Sequence, residues 1–165
     1  MLGIWYHVSW TAGLRNAAGR HEHTMQVRNI MQTKVVTARS TSTITEVAKQ
    51  MKSNDVGSVI ITENDKPVGI VTDRDIVLNH VAAGHLRDCP VQEAVSKGGA
   101  FSGLVTITPD MDILEAAQQL GTHKVGRLPV VESGKLVGIL SAGDVTRELK
   151  KALDGLMTEG EKAEK

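Results

Sequence analysis

Aromatic residues are almost missing from this chain. Trp5, Tyr6 and Trp10 crowd its first ten positions, and Phe101 stands alone in the rest. Proteins that grip single-stranded nucleic acid stack bases on aromatic rings, and this body has almost none to offer. Cys89 is the one cysteine. That rules out an intrachain disulfide framework and a cysteine-rich zinc site, and it fits a reducing cytosol. No apolar run approaches the roughly 18 residues that a membrane helix needs. The opening MLGIWYHVSW is apolar but lacks a basic leader and is broken by His7 and Ser9, so it does not read as a signal peptide. Lys plus Arg and Asp plus Glu balance at 19 each. This removes any whole-chain attraction to nucleic acid or to an anionic membrane. A cytoplasmic protein with neither partner is expected.

What the chain does have is the same segment twice. Ile44 to Ile76 aligns without a gap on Ile113 to Val145 at an offset of 69, and 12 of the 33 paired positions are identical. Ordinary residue frequencies give roughly two by chance, so the segment is duplicated. One repeat of about 60 residues buries too little apolar surface to be comfortable alone. The two copies are therefore expected to pair about a pseudo-twofold axis, with two equivalent clefts between them.

Residues 1–24 resemble nothing that follows and read as a tag or extension. Repeat 1 is placed at 27–88, repeat 2 at 91–153, and a charged, frayed tail at 154–165. Each repeat reads as strand, helix, strand, strand, helix, an α/β sandwich. In the first, Val35 to Thr37 is a short β-branched run. Ile44, Val47, Ala48 and Met51 fall on one helix face, with Ser42 and Thr43 as N-cap candidates. A hairpin turns at Asn64-Asp65-Lys66, and a helix over 73–83 ends at Gly84. In the second, a strand at Val105 to Ile107 and a helix after Pro109-Asp110 precede a hairpin turning at Ser133-Gly134. The last helix is expected over 142–153. Gly98 to Gly103 is a loop with no counterpart in the first copy.

The pattern that can carry chemistry is Gly69-Ile-Val-Thr72-Asp-Arg-Asp75 and its twin Gly138-Ile-Leu-Ser141-Ala-Gly-Asp144. In each, a buried strand ends in a hydroxyl, and a carboxylate follows three residues later in the first turn of a helix. Such spacing makes a capping box. The same geometry can hold a nucleoside phosphate. Free N–H groups and the helix dipole attract the phosphate, and the carboxylate accepts ribose hydroxyls. Recurrence in both copies favours ligand binding.

Together with Val56-Gly-Ser-Val-Ile-Ile and Val125-Gly-Arg-Leu-Pro-Val-Val, in this order and duplicated, these motifs resemble a tandem pair of CBS (cystathionine β-synthase) domains, the Bateman module. The likeness runs from about Val27 to Leu149. It implies two βαββα repeats about a pseudo-dyad, a flat homodimer joined through helices, and a regulatory sensor of an adenosine derivative. AMP, ADP or ATP comes first; S-adenosylmethionine and NAD are alternatives. Carried over by position, Asp75 and Asp144 hold ribose, and Thr72 and Ser141 meet ribose or phosphate. Thr37 and Thr106, with Val56 and Val125, flank adenine. Arg74 and Arg127 fall where basic phosphate contacts occur. Their counterparts Gly143 and Ser58 are not basic, so the two sites should differ. Arg127 is expected to serve the nucleotide on Asp75, and Arg74 the one on Asp144. A competing reading is a constitutive interaction module with empty clefts.

Other motifs fail. Gly98 to Gly103 is followed by Leu104, so there is no phosphate loop. Gly138 to Gly143 has one residue too many before its serine for a nucleophile elbow. His21-Glu-His23 is a weak metal signal. His80 and His85 straddle Gly84 and do not share a helix face. No paired general acid and base points to an enzyme, and no metal is expected.

Overall fold

The computed structural model describes residues 25–85, 87–95 and 103–163. The N-terminal extension with His21 and His23, and residues 98–102 of the glycine loop, lie outside them.

In the first repeat β1 (Thr37–Ala38) runs parallel to β2 (Ser58–Glu63), which pairs antiparallel with β3 (Lys66–Thr72). Helix α1 (Ile44–Asn54) joins β1 to β2, and α2 (Asp73–Ile76) follows β3. The second repeat has α4 (Ile113–His123), the antiparallel pair β4 (Arg127–Glu132) and β5 (Lys135–Ser141), and α5 (Ala142–Ala163). The expected strand at Val105 to Ile107 shrinks to a single parallel bridge, Ile107 to Val130.

Duplication is visible down to backbone defects. Both hairpins shift register at equivalent points, Ile61/Thr62 and Val130/Val131. Both turn on two residues with positive φ, Asn64 and Asp65 at 50° and 63°, Ser133 and Gly134 at 51° and 78°. This is the primed turn whose twist suits a two-residue hairpin. Helix α1 opens on the capping box of Thr43 and Glu46, and α4 opens on Asp112, whose carboxylate accepts from Leu114 N. Both end on a left-handed residue, Asp55 and Lys124.

Each core is finished by the segment that leads into the other repeat. The first gathers Ile44, Val47, Met51, Val59, Ile61, Val71 and Ile76 around Val91; the second gathers Ala116, Leu120, Leu128, Val130, Leu140 and Val145 around Val27. Val27 and Val91 are both fully buried. They lie on short lead-in helices, a 3-10 turn at Val27–Asn29 and α3 (Val91–Val95). The backbone bonds match pairwise: Ile113 N to Met25 O and Ile44 N to Cys89 O, both 3.0 Å, and Val27 N to Met111 O at 2.9 Å against Val91 N to Ser42 O at 2.8 Å. Residues 25–32 thus dock on the second core and residues 88–95 on the first. Gln32 also bonds Ile139 in both directions at 2.9 Å, extending the second sheet at its free edge. Leu136 N donates to Asp65 O at 3.3 Å, tying the two hairpins together.

Two further elements depart from the sequence reading. Val77–Val81 is a π-helix rather than a continuation of α2. Its C-cap is Ala82 rather than the expected Gly84, which lies two residues on in the turn, at φ +74°, with its N–H on Val81 O. The wider turn buries His80, and the reversal at Gly84 returns His85 N to His80 O at 3.1 Å. The two imidazoles consequently stack, with centroids 5.6 Å apart, although their spacing places them on different faces of an α-helix. Finally, α5 continues through the expected tail to Ala163, since Gly155 and Gly160 each cost only about 1 kcal/mol in a helix interior.

Candidate functional site

Strands β3 and β5 pack against each other and end at the two hydroxyls of the repeated motif. Each hydroxyl closes a tight ring with its carboxylate. Thr72 donates from its backbone N and from Oγ1 to Asp75 Oδ2, at 2.9 and 2.7 Å, and Oγ1 accepts from Asp75 N at 3.1 Å. Ser141 N donates to Asp144 Oδ2 at 3.0 Å, its hydroxyl donates to the same oxygen, and Asp144 N returns a bond to Oγ at 3.2 Å. Both are capping boxes. They leave Oδ1 of each carboxylate for another partner.

The second oxygens differ. Asp75 is half-buried, and its Oδ1 accepts from none of the described residues. Asp144 is buried, and its Oδ1 accepts from Gln32 Nε2 at 3.3 Å and from the Arg147 guanidinium. Arg147 follows three residues later on the same helix, a spacing readable in the sequence. Gln32 arrives on the exchanged lead-in segment, and no local pattern announces it.

Burial of Asp144 pushes its pKa up, but hydrogen bonds from the Ser141 hydroxyl and amide and from Gln32, with the charge of Arg147, outweigh burial and hold it below the ordinary aspartate value. A carboxyl with a depressed folded-state pKa stabilises the fold above its unfolded pKa, and that stability disappears as pH falls through the folded value. Urea midpoints measured from about pH 6 down to about pH 2.5 should therefore fall more for the wild type than for Asp144→Asn, the curves converging in acid. Parallel curves would mean that the Asp144 network adds nothing to stability.

Two clefts lie between the repeats. The first, about 190 Å³, is lined by Val35, Val36 and residues 55–58 of one repeat and by Arg127, Ile139 and Ser141 of the other. The second, about 90 Å³, is its pseudo-symmetric partner. Leu104, Val105, Val125, Arg127, Leu128 and Pro129 face Ile70 across it, with Gly103 at its edge. Both are below the roughly 300–1,000 Å³ of sites that swallow a drug-sized ligand, so part of a nucleotide would rest on the open rim. Gly57 keeps the first cleft open. A Cβ there would sit 3.3 Å from Asp73 Oδ2 and 3.5 Å from an Arg127 guanidinium nitrogen.

Of the ten candidate residues, Val56, Ser141 and Arg127 line the first cleft, and Val125 and Arg127 the second. Asp144 adjoins the first through its bonds to Ser141. Thr72 and Asp75 follow Ile70 of the second cleft, at the end of the same strand. Thr37 and Thr106 are exposed and come directly after the lining residues Val36 and Val105. Arg74 is exposed and lines neither cleft; its backbone N donates to Asp73 Oδ1 at 2.7 Å. Arg127 lines both. The paired strands explain this arrangement: each cleft joins the strand-entry residues of one repeat to the strand of the other that leads to a capping motif, Ile139 and Ser141 on β5 in the first and Ile70 on β3 in the second.

A family model for the CBS domain matches residues 27–80 and 101–151. The chain belongs to the CBS domain family. It is 37% identical over 119 residues to CBS domain-containing protein YhcV of Bacillus subtilis, covering 72% of this chain and 81% of that one. It is 31% identical over 123 residues to hypoxic response protein 1 of Mycobacterium tuberculosis, covering 74% and 83%. Among solved structures, the CBS domain pair of protein MJ0100 in complex with 5-methylthioadenosine and S-adenosyl-L-methionine aligns with TM-score 0.69 at 23% identity, covering 78% of this chain and 98% of that one. A hypoxic response protein I with two coordinated zinc ions aligns with TM-score 0.64 at 30% identity, covering 74% and 97%. CBS pairs are, in general, regulatory ligand-binding modules.

Among the described residues of this CBS pair, no three His, Cys, Asp or Glu side chains group as metal ligands would. His80 Nδ1 lies 3.9 Å from Cys89 Sγ. No helix of the described residues is long and apolar enough to cross a membrane.

Proposed function

We propose that this CBS pair is a regulatory sensor, rather than an enzyme, that binds an adenosine derivative in the clefts between its repeats, with AMP, ADP or ATP favoured. The observation that carries this reading is Oδ1 of Asp75, to which no described residue donates, on a carboxylate held by a capping box at the end of the strand whose Ile70 faces an apolar cleft. Val105, Val125, Leu128 and Pro129 supply walls for adenine without aromatic stacking. The carboxylate accepts ribose hydroxyls, and Arg127 supplies the cation for phosphate. That the MJ0100 pair, of the same fold, was solved with two adenosine compounds supports the ligand class.

A ligand that binds only the native state raises its stability with concentration. Thermal unfolding with AMP, ADP, ATP, S-adenosylmethionine and NAD should therefore give a concentration-dependent rise in Tm with at least one of them. No rise with any would leave a constitutive interaction module with empty clefts.

The sensor is also proposed to be a homodimer joined through its helices. Val47, Met51 and Ile76 are buried in the first core and cannot face a partner, whereas Val81 is exposed. Val81 does not stand alone: Val77 and Leu78 on the π-helix, Leu114 on α4 and Leu153 on α5 are each more than half exposed. Val77, Leu78 and Val81 share the π-helix, and adjacent apolar exposure of this kind marks an interaction surface. Light scattering at micromolar concentration should give twice the chain mass, and Val81→Asp with Leu78→Asp should return the monomer. A wild-type monomer would contradict the dimer.

A further inference from the structure

Among the described residues, Arg127 is the only basic residue lining either cleft, and it lines both. It opens β4 half-buried and forms no ion pair among the described residues. Its guanidinium reaches the first cleft beside Gly57, and the same residue forms part of the wall around Ile70 and Val125 in the second. Its counterpart in the other repeat is the buried Ser58, so no second cation stands at the equivalent place. Asp55 is on the wall of the first cleft, and Asp73 lies beside Gly57; both are negative and cannot substitute.

From one cation between two clefts we infer that Arg127 is a shared phosphate-binding residue, and that it makes the clefts compete for phosphorylated ligands. This deepens the adenosine-sensor reading and rests on it. A guanidinium engaged bidentately by the phosphate in one cleft cannot serve the other. The second phosphorylated ligand must bind without that cation and close to an anion already in place. Adenosine has no phosphate and feels neither effect. Coupling between the clefts is thus negative for ATP and absent for adenosine, and it is reciprocal. A single sensor module would then pass from half to full occupancy over a wider range of nucleotide concentration than two independent sites allow.

The test separates a shared residue from one that serves a single cleft. Arg127→Gln is combined in turn with Asp75→Ala and with Asp144→Ala, and ATP and adenosine are titrated calorimetrically into each. The inference expects Arg127→Gln to weaken ATP by roughly ten- to hundredfold in both backgrounds, as for a lost charge-assisted hydrogen bond, with adenosine unchanged. Arg127→Lys keeps the charge at the same strand position and should recover part of the loss. In the wild type the two ATP sites should differ by at least tenfold more than the two adenosine sites. A loss of ATP affinity in only one background, in neither, or equal for adenosine and ATP overturns the sharing while leaving the sensor reading intact. If neither compound binds the wild type, the sharing falls; the sensor reading falls with it only if AMP, ADP, S-adenosylmethionine and NAD fail to bind as well.

Discussion

Asp75→Ala is expected to weaken binding of an adenosine ligand by about 1.5–3 kcal/mol, the value of hydrogen bonds to a charged acceptor. Asp144→Ala should cost less. Asp75 offers an oxygen that no described residue occupies, whereas Oδ1 of Asp144 already accepts from Gln32 and Arg147. A ribose hydroxyl arriving there exchanges one partner for another, and only the difference appears as affinity. Gln32→Ala, which frees part of that oxygen, should strengthen binding in the Asp144 cleft. Equal losses at the two aspartates would show that the resident partners do not compete with ligand.

The largest stability effect is expected at Gly138, on β5. Its missing Cβ would lie 2.7 Å from Met31 Sδ and 3.1 Å from the backbone oxygen of Gln32. The sulfur can move, but the carbonyl is fixed because it accepts from Ile139 N. Gly138→Ala therefore forces the exchanged segment away from the sheet, at a cost of about 1–3 kcal/mol, as for overpacking in a core. Gly121 in α4 is the control. Nothing lies within 4 Å of a Cβ there, so Gly121→Ala should stabilise by about 0.5–1 kcal/mol. Urea midpoints of the two variants should move in opposite directions. An unchanged midpoint for Gly138→Ala would mean that residues 25–32 do not press on β5.

Much of this architecture could be read from the chain because duplication repeats local chemistry. Thr43 and Glu46 announce the start of α1, Asn64-Asp65 and Ser133-Gly134 announce the hairpins, and Thr72 and Ser141 with their aspartates announce the helix starts at the clefts. Each signal is complete within a few residues. What could not be read depends on distant chain. Val27 and Val91 sit on lead-in segments too short to show a period, and nothing local says that each finishes the other repeat's core. Gln32 reaches Asp144 only because of that exchange. The π-turn over Val77–Val81 and the stacking of His80 on His85 follow from packing rather than from spacing. Among the candidate residues, Arg127 could be seen in the sequence to lack a basic twin. Its place on both clefts needed the fold, and so did the removal of Arg74 from either wall.

The claim that an adenosine derivative occupies the inter-repeat clefts is tested most directly by calorimetric titration of the wild type and of the Asp75→Ala/Asp144→Ala double variant with AMP, ADP and ATP. The wild type should give saturable heat with at least one nucleotide. The double variant, shown by circular dichroism to be folded, should lose at least tenfold in affinity. Wild-type affinity in the folded double variant would place the ligand somewhere other than the clefts and contradict the account.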